Sequence, residues 1–156
     1  MRRSAPRNTS GRPPVPSLRP TGLALFDAID VHPWVGAALS NAPGTMPTIR
    51  ILESVGQQVR ALGVPDDALW GATSALLSYI LGVAGQNAAN ARLGQARSID
   101  RVDFLNQLAD RWAQLDAADF PFTRAVAAQL PLHDDRADFL AGIDLLLAGM
   151  TARRLG

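Results

Sequence analysis

From Thr21 onward, apolar positions recur every three to four residues, and no stretch shows the two-residue alternation of a strand. A short segment, Gly22 to Val31, leads into His32-Pro33-Trp34. Pro33 suits the first position of a helix, where its missing N–H would have no intrahelical partner. That helix is predicted to run to about Ser40, with Trp34 above Ala38 and Val35 above Leu39. Asn41–Pro47 reads as a loop. The next helix places Leu52, Val55, Val59 and Leu62 on one stripe and stops at Gly63. Pro65-Asp66-Asp67 then opens a long helix, predicted from about Asp66 to Arg92, whose acids favour its N-terminal dipole.

The long helix is apolar on almost every side between Ala75 and Ala84, which places it inside a bundle or an interface. Its small residues Gly71, Ala75, Ser78, Gly82, Gly85 and Ala89 are spaced four and three apart in turn, forming one stripe. Glycine inside a helix costs about 0.5–1 kcal/mol relative to alanine, so Gly82 and Gly85 imply close approach of another helix. Leu93–Arg97 reads as a polar break, and Ser98 as the cap of a helix carrying Val102, Leu105, Leu108, Trp112 and Leu115. Asp119–Leu130 is predicted as a shorter helix ended by Pro131. The last helix, Asp134 to Arg153, is apolar at Phe139, Ile143, Leu146, Leu147 and Met150, with Gly142 and Gly149 on one face.

The pattern therefore predicts an all-α helical bundle. Two long apolar helices with small-residue seams, doubled by a twofold axis, predict dimerisation through a four-helix bundle. The expected interface comprises the six small residues of the long helix with Phe139, Gly142, Ile143, Leu146, Gly149 and Met150.

Composition narrows the picture. The chain has 156 residues, 47% hydrophobic and 19% charged, which suits one folded domain with a large core or an apolar interface. The absence of cysteine excludes disulfides, thiolate metal sites and cysteine nucleophiles. No apolar run reaches the ~18 residues of a membrane span, and no apolar stretch follows the N-terminal arginines, so a cytoplasmic location without membrane contact is expected. Charge is uneven: residues 1–20 contain Arg2, Arg3, Arg7, Arg12 and Arg19 and no acid. Residues 1–20 are expected to be a disordered Arg/Pro-rich tail, with a basic arm for nucleic acid as the alternative reading, and residues 21–156 the folded domain. Acids outnumber arginines in that domain, so its surface repels phosphate.

Catalytic chemistry finds little footing. His32 and His133 belong to no metal or nucleophile motif, no serine sits in a G-x-S-x-G turn, and no glycine loop cradles phosphate. His133, Asp134, Asp135 and Asp138 read as a charged helix start in preference to a metal site. Neither an enzyme, a metal nor a cofactor is expected. Asp144, in the apolar centre of the last helix, is expected at a rim or hydrogen-bonded across the dimer. A small-molecule pocket needs apolar walls and a few convergent polar groups. The candidates are Trp34, Leu52, Val55, Trp70, Tyr79, Val83, Gln86 and Asn87, the two amides being the most suggestive.

Several segments resemble the C-terminal domain of the tetracycline-repressor (TetR) family. They are His32-Pro33-Trp34 opening a helix, Arg50-Ile51-Leu52-Glu53, Ala61-Leu62-Gly63, Ala75 through Gly82, and Phe139 through Met150, together covering about residues 21–154. The resemblance implies an effector-sensing and dimerising domain of a transcriptional regulator, taking a small hydrophobic effector and pairing as a homodimer or with a full-length relative. That family's separate N-terminal domain binds DNA. Residues 1–20 offer no recognition helix for a major groove, so sequence-specific DNA binding by this chain alone is not expected, and a truncated regulator is implied. The alternative is a stand-alone helical small-molecule-binding protein without a regulatory role.

Overall fold

The computed structural model describes residues 17–97 and 100–152. Seven α-helices and one 3-10 segment occupy them: α1 Leu18–Val31, α2 Trp34–Asn41, α3 Met46–Ala61, α4 Leu69–Arg97, α5 Arg101–Ala113, α6 Pro121–Val126, η1 Ala127–Leu132 and α7 Asp135–Ala152. The expected all-α class is what is found. Most of the predicted tail, and the predicted cap Ser98, lie outside the described residues.

Several boundaries differ from the sequence pattern. The helix predicted over Asp119–Leu130 is split into α6 and η1, and Pro131 lies inside η1 instead of ending the segment, because a 3-10 turn tolerates a proline that an α-helix would not. α1 starts at Leu18, inside the predicted tail, because Leu18 is buried and Pro20 falls in the first turn, where proline is tolerated. α4 starts at Leu69 because Pro65–Ala68 forms a turn, Ala68 N–H donating to Pro65 carbonyl at 3.0 Å. It continues through Leu93–Arg97, whose residues are mostly good helix formers, so the predicted break is absent. Asp100 caps α5, accepting from Val102 N–H at 2.8 Å. At the end of α3, Gly63 takes φ 83° and donates to Arg60 carbonyl at 2.9 Å, the left-handed stop expected of it.

α4 is the central helix. α1, α3 and α7 pack against it, with α2 on a smaller area. Its inner face contributes Leu76, Ile80, Ala84 and Ala88 to a core shared with Phe26 and Ile29 of α1, Val55 and Val59 of α3, and Phe139, Ile143 and Met150 of α7. The rings of Phe26 and Phe139 lie 4.6 Å apart, and Tyr79 stacks on Phe139 at 5.8 Å. The tight fit explains two glycines. A Cβ on Gly22 would lie 2.6 Å from Ile143 Cδ1, and one on Gly142 would collide with the Tyr79 ring. Polar ties on the surface hold α1 in place: Arg19 to Asp144 at 3.1 Å, Arg136 to Asp27, and Asn87 to Asp30 at 3.1 Å. Asp144 thus has a partner within its own chain.

α5, α6 and η1 form a second, smaller cluster packed mainly on itself, with Leu105 and Ala127 as its buried centre. Arg101 links it to the start of α7, donating to the His133 carbonyl at 3.1 Å and to Asp135 at 2.9 Å. His133 Nε2 and Nδ1 meet Asp135 at 2.8 Å and Asp138 at 2.5 Å, from opposite edges of the ring. A single metal ion could not sit between all three, and the arrangement is a helix-start clasp. Asp134 completes it by accepting from Arg136 and Ala137 N–H, each at 3.0 Å. Those backbone donors, Ala137 first, hold its carboxyl below the usual range.

Candidate functional site

Two grooves flank α3. The first, about 400 Å³, lies between α3 and α4. Leu52, Leu69 and Trp70 give it apolar walls, buried Thr73 lies along it, and Glu53, Arg60 and Asp66 ring it with charge. Those charges already have partners: Arg60 lies 3.9 Å from Asp66, and Glu53 accepts from Gln57 at 2.7 Å.

The second groove, about 470 Å³, lies between α1 and α3. Pro20, Ala24, Leu25 and Ile51 wall it, Thr21 and Ser54 supply hydroxyls, and Arg50 is its single charged side chain. Gln58 lies behind the two hydroxyls, only 4% exposed. Its Nε2 donates to Thr21 Oγ1 at 3.2 Å and to the Ser54 carbonyl at 3.0 Å, with Ser54 Oγ at 3.3 Å. A buried amide must have such partners, and this one fixes both hydroxyls at the groove wall. Arg50, Ser54 and Gln58 are four residues apart in turn, so α3 carries one polar stripe from solvent into the core. Apolar walls with a few convergent polar groups are the hallmark of a small-molecule site, and the second groove has them.

The eight residues predicted to line a pocket do not come together. Leu52 and Trp70 share the α3–α4 groove, where Trp70 is 71% exposed. Val55 is sealed in the core, and Trp34 stands 68% exposed on α2. Tyr79 is committed to α7, donating to the Phe139 carbonyl at 3.1 Å over Gly142; burial, then the nearby Asp138 charge, raises its phenol above the usual value. Val83 packs against the core, Gln86 is exposed, and Asn87 donates to Asp30. Helical geometry is the cause: about 100° per residue sets Trp70 and Tyr79 on opposite sides of α4. The residues missed, Thr21, Arg50, Ser54 and Gln58, left one signal in the sequence, the four-residue spacing on α3.

The twelve residues predicted at a dimer seam also divide. Gly71, Ala75, Ser78, Gly82 and Ala89 lie exposed on the outer face of α4, with Gly85 half-buried beside them. A Cβ on Gly71, Gly82 or Gly85 would meet nothing within 4 Å, and the same holds for Gly149 on α7. Phe139, Ile143 and Met150 instead point into the chain's own core, Leu146 packs against it, and Gly142 seats Tyr79. Among the outward residues of α7 are Ala141, Leu145, Ala148 and Gly149, with Leu145 75% exposed. Among the described residues, no helix is long and apolar enough to cross a membrane.

Comparison with known proteins agrees with this architecture. The family described as "Tetracyclin repressor-like, C-terminal domain" matches residues 17–154. Among solved structures, the transcriptional regulator SCO7222, a TetR from Streptomyces coelicolor, is similar at 45% identity with a TM-score of 0.78. That match covers 92% of this chain and 68% of the Streptomyces chain. No curated protein matches significantly. By the span of the family match and by its fold, the chain belongs to the TetR family of transcriptional regulators, through the C-terminal domain of that family.

Proposed function

We propose that residues 17–154 are the effector-sensing and dimerising unit of a TetR-type regulator, with the effector held in the α1–α3 groove. One observation carries the reading: the two faces of α4. Its inner face packs on α1 and α3, the helices that form the groove, and its outer face is an open stripe of small residues. A ligand that spreads α1 from α3 would therefore act on the same helix that meets a second subunit. The effector shifts the balance between two bundle arrangements only as far as its affinity for them differs. In a dimer, that shift changes the relation of whatever each subunit carries. A second copy of this chain or a full-length relative would present the same α4 and α7 faces.

The dimer is tested by light scattering after size exclusion at micromolar concentration. The wild-type chain is expected at twice the monomer mass. Gly82→Arg, placed in the centre of the open stripe, is expected to give monomer with unchanged helical content by circular dichroism. A wild-type chain that runs only as monomer, or a Gly82→Arg variant that stays dimeric, overturns the reading.

A further inference from the structure

We infer that the ligand of the α1–α3 groove is a compact amphiphilic carboxylate, its anionic head on Arg50 and its apolar body over Leu25 and Ile51. The inference rests on the reading of this groove as the effector site. Arg50 is the only charged side chain lining the groove, and it forms no ion pair among the described residues. The segment before Ser17 contains arginines but no acid that could neutralise it.

Ser54 lies one helical turn beyond Arg50 on α3 and lines the same groove. Its Oγ lies within reach of Gln58 Nε2 at 3.3 Å, and as acceptor there it keeps its own proton for a ligand oxygen. Thr21 faces it from α1. A guanidinium fork and a hydroxyl donor on one stripe, with apolar walls and no acid in the lining, match a carboxylate. An uncharged alcohol would forgo the charge-assisted pairing, and an ammonium would meet a like charge at Arg50. The α3–α4 groove lacks this character, because its arginine is balanced by Asp66 and Glu53 stands beside it.

The test is isothermal titration of the full chain, at neutral pH, with three probes of one tail length: octanoate, octanol and octyltrimethylammonium. Octanoate is expected to bind at least about tenfold more tightly than the other two, since a charge-assisted fork supplies roughly that factor. Arg50→Gln should bring octanoate down to the level of octanol, and Ala24→Trp, which fills the groove from α1, should remove binding of both. If octanol or the ammonium binds as tightly as octanoate and Ala24→Trp blocks it, the carboxylate inference fails while the groove remains the site. If octanoate binds but ignores Ala24→Trp, both the inference and the groove reading fail. Absence of saturable octanoate binding overturns the inference directly.

Discussion

The two faces of α4 are built from similar residues and do opposite things. Leu76, Ile80, Ala84 and Ala88 are buried against three other helices, whereas Gly71, Ala75, Ser78, Gly82 and Ala89, interleaved with them along the same helix, are exposed. Hydrophobicity alone does not distinguish the faces, because the helix is apolar nearly all round. Size does. Leu76 and Ile80 fill the space at the middle of the inner face, while the outer stripe from Gly71 to Ala89 carries nothing larger than a methyl or a hydroxymethyl group, leaving the backbone approachable. The glycines of that exposed face give up helix stability without any packing return inside the chain. The inner face marks the core, and the outer face is the one proposed above to meet a second subunit.

The comparison is sharpest where a side chain is removed. Ile80 is fully buried, so Ile80→Ala is expected to destabilise the chain by about 2–5 kcal/mol through lost burial and the cavity left behind. Chemical denaturation measures it, and a loss near zero would show that the inner face is not close-packed.

Adding a methyl group separates the faces by sign. Gly142→Ala drives a Cβ into the Tyr79 ring and is expected to cost about 1–3 kcal/mol by overpacking. Gly82→Ala meets nothing within the chain, and for the isolated monomer it is expected to gain about 0.5–1 kcal/mol. At concentrations where chains pair, the same methyl group stands between the two helices, and the gain should shrink or reverse. Denaturation midpoints followed against protein concentration read this out. A Gly82→Ala gain that is constant over the whole range would separate the small-residue stripe from pairing.

The smallest effect concerns the contact between α4 and α7. Tyr79 is the only tyrosine in the chain, so its phenol can be titrated cleanly by ultraviolet absorbance. Burial, then the charge of Asp138, raises its ionisation above the ordinary value of 10.0. A raised pKa means the fold prefers the protonated phenol. The associated stability is complete below the unfolded value and is lost as pH climbs through the folded one, so the effect is confined to strongly alkaline solution. Gly142→Ala, by displacing the ring, should return the midpoint toward the ordinary value. An ordinary midpoint in the wild type would mean that Tyr79 does not rest against α7.

Much of the fold was legible beforehand. The 3.6-residue rhythm gave the helices because amphipathic periodicity is a local property, and Gly63 and Pro33 punctuated them where backbone geometry requires. Boundaries slipped for two reasons: Leu18 extends α1 because it finds a buried seat, whereas α4 runs on past Arg92 because Leu93–Arg97 are mostly good helix formers. The candidate site was legible only in part. Leu52 and Trp70 do line a groove, but Gln86 and Asn87, chosen as amides on an apolar helix, became a surface residue and a tie to α1. Gln58, the amide that does lie buried beside a groove, sits on an otherwise ordinary amphipathic helix, and only its four-residue spacing from Ser54 and Arg50 marks it.

The sequence by itself determined the class, the helix count to within the short α6–η1 segment, and the stripe of small residues along α4, all of which follow from neighbours three and four positions apart. Only the tertiary structure decided which face of α4 and α7 turns inward, because a helix apolar all round carries no internal reference for its own rotation. It also decided that Thr21 and Gln58, 37 positions apart, meet beside one groove. Such meetings depend on how whole helices stack, and stacking is settled by the summed fit of many side chains, among them Tyr79 over Gly142 and Ile143 over Gly22, where a Cβ would not fit.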